Sequence, residues 1–195
     1  MRINQIFADG DDSGIRLLLR SIASECDQFI TEARDLPLFK VLPVTYEDVQ
    51  KVKVRKAKRS SKFSKTFNEA FDDEMKNLRE RSVFANGQKP EPDTDKDIFY
   101  IFPKNGYRFM YCTEVQQSTA DYKQVFDSIF ENADEPEQII HDLLKFSYVR
   151  ENLNEGIGSN AEIIFYNIPY YYSVRTTLYE SYNDLLTDIT EIEDN

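Results

Sequence analysis

Tryptophan is absent from the 195 residues, histidine occurs once and cysteine twice. The single histidine, His141, rules out any site built on two or more imidazoles. Cys26 and Cys112 stand far apart with no histidine or further thiol beside them. That pattern fits reduced thiols and excludes a disulfide scaffold or a zinc site. Six glycines and seven prolines are too few for a low-complexity chain. No apolar run approaches the roughly 18 residues that a membrane-spanning helix requires. The opening MRINQIFADGDD lacks the apolar stretch of a secretory signal, so the chain reads as cytoplasmic. No P-loop, CxxC or GxSxG is present, and no GxGxxG follows a strand.

What is present suits a folded core: 41% hydrophobic residues and 13% aromatics, the latter 14 Phe and 12 Tyr. The length suits one domain over residues 1–195. A net charge of −11 argues against a surface given over to nucleic acid, because phosphate contacts need positive potential. That average conceals a segregation. Eight basic residues and no acid lie between Lys51 and Lys65, which leaves about −19 on the remainder. Lys53, Arg55, Lys56, Lys58, Arg59 and Lys62 are the candidate docking residues of this segment.

Apolar spacing predicts a helix over 15–34 with Ile15, Leu18, Leu19, Ile22, Cys26, Phe29 and Ile30 on one face. Leu38 to Leu42 reads as a buried strand between prolines, and Val52 and Val54 alternate with cations as on a half-exposed strand. The rest of the basic segment reads as a loop, with 51–65 as its extent. A helix is predicted from Thr66 to about Arg81, then a short apolar group ending at the turn dipeptide Asn86-Gly87. Ile98–Phe102 and Tyr107–Cys112 read as strands joined by a turn at Lys104-Asn105-Gly106. Helices follow over 119–131 and 136–146, then two strands broken near Pro169. A last helical patch runs from Leu178 to Ile189, with residues 188–195 a frayed acidic tail. This order lacks the strict alternation of a parallel βα fold, so the expected class is α+β.

Carboxylates are too abundant for any pair to point to acid–base chemistry, and no group of them has the spacing of a metal loop. Tyr170-Tyr171-Tyr172 is distinctive. On a strand, Tyr170 and Tyr172 face one way and Tyr171 the other, a pattern suited to core packing or to a stacking platform.

Four segments taken together resemble the ADP-ribosyltransferase fold, in particular small uncharacterised phage proteins of that kind. Leu38-Phe39-Lys40-Val41 is similar to the early strand whose cation holds the phosphate side of NAD. Arg81-Ser82-Val83-Phe84-Ala85-Asn86-Gly87 is similar to the serine-bearing strand that props up the site. Ile98 to Pro103 matches the hydrophobic strand that follows, and Asn160-Ala161-Glu162-Ile163-Ile164-Phe165 resembles the strand opened by the catalytic glutamate. Lys40 stands where arginine is usual, no glycine follows it, and Asn160 stands in place of the first acid.

The resemblance implies a single domain with N-terminal helices packed on a mixed or antiparallel split sheet. It implies an NAD-dependent mono-ADP-ribosyltransferase modifying a host macromolecule in the host cytoplasm. Glu162 would then stabilise the oxocarbenium-like transition state and Ser82 would orient it or the substrate. Lys40 would hold phosphate, and Tyr170 or Tyr172 would stack on nicotinamide. The departures imply an alternative: a catalytically inactive binding or inhibitor protein on the same fold, acting on a host protein or nucleic-acid complex.

Overall fold

The amphipathic stretch expected as one helix over 15–34 forms two, α1 (Asp12–Glu25) and α2 (Asp27–Ala33). The computed structural model describes residues 12–54, 61–91, 94–115 and 118–193. The break falls at Cys26, with φ −129° and ψ 16°, and a distant turn holds it open. The Asn105 amide donates to Glu25 O at 2.7 Å, and Asn105 Oδ1 accepts from the Gln28 amide at 3.1 Å. Asn105 thus serves the end of α1 and caps the start of α2, groups that a continuous helix would have satisfied itself.

Seven strands follow in chain order: β1 (Phe39–Pro43), β2 (Val49–Lys53), β3 (Val83–Asn86), β4 (Lys96–Pro103), β5 (Arg108–Tyr111), β6 (Glu162–Tyr166) and β7 (Tyr170–Arg175). Between and after them lie α3 (Lys62–Ala70), α4 (Leu78–Arg81), α5 (Ser118–Asn132), α6 (Pro136–Ser147), α7 (Leu153–Gly158) and α8 (Tyr182–Glu193). The described residues thus hold eight α-helices and seven strands in one α+β domain. None of the described helices is long and apolar enough to cross a membrane.

Two local expectations change here. The basic stretch is not loop at its described ends: it begins as β2, and Ser61 Oγ caps α3 by accepting the Ser64 amide at 3.2 Å, while residues 55–60 lie outside the described residues. The helix expected from Thr66 to Arg81 is interrupted after Ala70. Asn68 ties the two pieces together, accepting the Arg79 amide (2.8 Å) and donating to Glu80 (2.9 Å). At the other end, α8 carries helix as far as Glu193, with Asp188 and Ile189 buried.

The strand order is β2-β7-β4-β1-β3-β6-β5, and every described pair is antiparallel. One registered pair, Phe39 opposite Asn86, joins the half β2-β7-β4-β1 to the half β3-β6-β5. The turn at Lys104-Asn105-Gly106 therefore makes no hairpin, since β4 lies in the first half and β5 at the far edge of the second. The same holds for β6 and β7. In a flat sheet each of these two pairs would run the same way four places apart, and such a crossover takes about a dozen residues. The links are residues 104–107 and 167–169 alone. The two halves must therefore cross steeply, with the chain bending round a corner from one to the other. Left-handed backbone makes both bends, at Gly106 (φ 85°) and Asn167 (φ 64°), and Asn167 Nδ2 donates to Gly106 O at 3.5 Å.

The main core fills the angle between the halves. Phe29 of α2 meets Phe102 of β4 and Phe165 of β6 edge-on at 5.9 and 6.2 Å, and Tyr107 meets Phe165 at 5.2 Å. A second core lies on the outer face of β6 and β5. There Ile164, Tyr166 and Met110 pack beneath Phe67, Phe71, Phe126, Ile140 and Leu144 of the α3–α6 region.

Candidate functional site

Alternation along β7 sorts its side chains onto two faces. Tyr170 and Tyr172 turn towards α1, where both hydroxyls donate to Glu25 Oε2, at 2.7 and 2.6 Å. Lys51, opposite Tyr172 on β2, donates to the same oxygen at 3.4 Å and sits 3.7 Å from the centre of the Tyr170 ring. The Tyr172 hydrogen bond is the largest influence on the Glu25 carboxyl; with Tyr170 and Lys51 it outweighs burial and holds the group below its ordinary value.

Tyr171 and Ser173 turn to the opposite face. An open cleft of about 600 Å³ lies on that side, lined by Lys40, Tyr46, Gln50, Val52, Ser82 and Tyr171 among others. Lys40 on β1 donates from Nζ to Phe84 O of β3 at 2.6 Å, placing a positive charge in the cleft wall. Ser82, just before β3, donates its hydroxyl to Leu78 O at 2.6 Å and so closes the end of α4. Gln50 lines this cleft and Ser173 does not; Gln50 Nε2 and Ser173 Oγ are both buried with no hydrogen-bond partner among the described residues. These two residues face each other across β2 and β7, and Ser173 is fully buried.

Lys40, Ser82 and Glu162 thus belong to three neighbouring strands or their immediate entry, β1, β3 and β6. Lys40 and Ser82 share the cleft, whereas Glu162 does not line it. Glu162 pairs with Asn86, four positions along β3 from Ser82, a separation of roughly 13 Å along the strand. Its amide donates to Val115 O at 2.9 Å. Its charge is felt at Tyr148, in the second core. Burial pushes that phenol well above its ordinary value; Tyr122, Glu162 and Cys112 add to the shift and Arg79 opposes it.

Of the basic candidates, Lys53 is exposed on the edge strand β2, and Lys62 opens α3 with Nζ 3.2 Å from the Phe130 ring centre. Arg55, Lys56, Lys58 and Arg59 lie outside the described residues. Sequence reading passed over Arg79, which is 2% exposed and has Phe63, Phe67 and Phe84 rings 4.6–5.0 Å from its guanidinium carbon. It also passed over Gln50 and Tyr46, which line the cleft. The only available signal was alternation at Tyr171; the β2–β7 register spans too much sequence to leave a local one. A second depression of about 470 Å³, between α2 and the entry to α7, contains none of the sequence-predicted site residues.

No protein-family model matches the chain. No curated protein and no solved structure matches it either.

Proposed function

We propose that the protein binds an anionic, nucleotide-sized ligand in the cleft and does not transfer ADP-ribose. In this reading it is a binding protein on an ADP-ribosyltransferase-like architecture. The observation that carries the reading is the division of the three expected site residues: Lys40 and Ser82 line the cleft and Glu162 does not. A cleft of about 600 Å³ has the size of a small-molecule site. Lys40, Ser82, Gln50 and the tyrosines suit the phosphate and ring of NAD. Cleavage of the nicotinamide–ribose bond needs a carboxylate at the sugar, and no carboxylate among the described residues lines the cleft, so these residues fit binding of NAD and not its chemistry. The edge strand bearing Lys51 and Lys53 runs beside the cleft. It is a docking rim for an acidic macromolecular partner, whether a protein or a nucleic-acid complex.

The catalytic alternative draws support from one observation, the adjacency of β1, β3 and β6. Titration calorimetry with NAD, paired with a labelled-NAD transfer assay on cell lysate, separates the two readings. Binding without transferred label is expected, with affinity lowered in Lys40→Ala and unchanged in Glu162→Ala. Label transfer that disappears in Glu162→Ala would establish the enzyme and overturn the binding reading.

A further inference from the structure

β2 pairs with β7 along its whole length and stands at the end of the strand order, so no described strand lies on its other side. Two hydrogen bonds fix which backbone groups face which way. Arg175 N donates to Asp48 O at 2.7 Å, and Val54 N donates to Pro169 O at 2.9 Å. Gln50 and Val52, in phase with these, therefore turn their amides and carbonyls to β7, and Val49, Lys51 and Lys53 turn theirs outward. Val49 is buried, whereas Lys51 and Lys53 are exposed, so the accessible edge consists of the latter two. By alternation their side chains share the α1 face, where Lys51 meets Glu25. Val52 and Val54 lie half-buried on the cleft face. Residues 50–54 line the cleft, so this edge runs along its mouth.

An exposed strand edge is a template for another strand, and its side chains decide which. A second copy of this chain would set Lys51 and Lys53 against lysines, and like charges opposite each other destabilise a ladder. Acids opposite them pair favourably, and the basic, acid-free run of the sequence starts at Lys51. Resting on the docking rim described above, we propose that the β2 edge takes up an extended acidic segment of a partner protein as a further antiparallel strand. Acids of that segment stand opposite Lys51 and Lys53, and apolar residues between them lie beside Val52 and Val54 at the cleft mouth. The acids exchange both backbone hydrogen bonds with the edge, while the residues between them turn their amides away. Main chain holds the partner and charge selects it.

The probe is a fluorescent, end-capped peptide of sequence Glu-Val-Glu-Val-Glu, titrated with the full chain and read by anisotropy. Binding is expected, weakening as salt rises from about 0.05 M to about 0.3 M. N-methylation of the glutamate amides should abolish it, and N-methylation of the valine amides should spare it, at the same peptide charge. Lys53→Ala should weaken binding through lost charge. Lys53→Pro should weaken it at least about threefold further, since it also removes an outward amide that an edge strand can forgo. The methylated peptides test the wild-type chain, so their result stands whether or not Lys53→Pro folds. Equal binding of both methylated peptides overturns strand addition and leaves the electrostatic rim standing. Equal affinities of a folded Lys53→Pro and Lys53→Ala overturn it as well. If a thymidine oligonucleotide binds and the peptide does not, the rim serves nucleic acid and strand addition falls. If neither binds, the docking rim falls and strand addition with it.

Discussion

The two halves of the sheet solve the same burial problem differently. The half β3-β6-β5 is covered on both faces. Its inner side packs into the angle around Phe29, and its outer side lies under α3, α5 and α6, with Arg79 held among phenylalanines. The half β2-β7-β4-β1 has the same inner packing, and Phe99 and Ile101 of β4 are buried on its outer side too, but a cleft opens there beside β1, β2 and Tyr171 of β7. A strand buried on both faces can place apolar groups at every position, as Ile163, Ile164 and Phe165 do, all of them fully buried. A strand with one open face keeps polar groups there, as Gln50 does on β2. Function is therefore to be sought on the half that the helices leave uncovered.

The contrast is sharpest at Phe165, whose ring meets Phe29, Tyr107 and Phe109 in the angle between the halves. Phe165→Ala is expected to lose about 3–5 kcal/mol in urea denaturation. A loss below about 1 kcal/mol would mean that the halves are not packed on each other as described. Next in size is the corner between them. Gly106 adopts φ 85°, so Gly106→Ala should cost about 1–2 kcal/mol, while Gly14→Ala, in helix α1 with open space around its Cα, should be neutral or stabilising. Equal effects at both sites would remove the argument that the corner needs left-handed backbone.

The network on the α1 side of β7 should have a smaller, pH-dependent effect. Tyr172→Phe removes a hydrogen bond to Glu25 and is expected to cost about 1 kcal/mol at neutral pH. Because the folded carboxyl titrates below its ordinary value of 4.5, its contribution is complete above that pH and disappears as pH falls through the depressed value. Thermal melts between pH 7 and pH 3 should show the gap between wild type and variant closing on the acid side; a gap of constant size would contradict the coupling. The smallest effect belongs to the exposed rim. Lys53→Ala should change stability by no more than about 0.5 kcal/mol, while weakening capture of an acidic partner in a salt-dependent way. Unchanged capture would remove β2 from the docking surface.

Much of the local structure was legible from pattern alone. Alternation at Val52 and Val54 located the end of β2, and the apolar run from Ile98 located β4. The acid-proline entry at Glu135-Pro136 located α6. Cys26 shows the limit: its apolar position on the helical face predicted continuity, and the helix breaks because Asn105, far along the chain, supplies the cap. The turn at Asn105-Gly106 shows another. Its chemistry marked a reversal, but nothing local says whether the strands on either side pair with each other or with strands elsewhere. For the site, sequence reading brought Lys40 and Ser82 to one cleft. It also put Tyr170 and Tyr172 beside them, whereas Tyr171 is the member of the run that lines the cleft.

The sequence by itself determined the α+β class, the apolar faces of most elements and the concentration of positive charge ahead of α3. These follow from residue spacing and composition, which act over a few positions. Tertiary structure alone decided which strands are neighbours, where the sheet bends, and that Glu25 should meet a tyrosine 147 residues away. It also decided that Glu162 faces the second core and not the cleft. Those choices depend on how two half-sheets bury their inner faces against each other, an outcome of the whole chain that no single segment encodes.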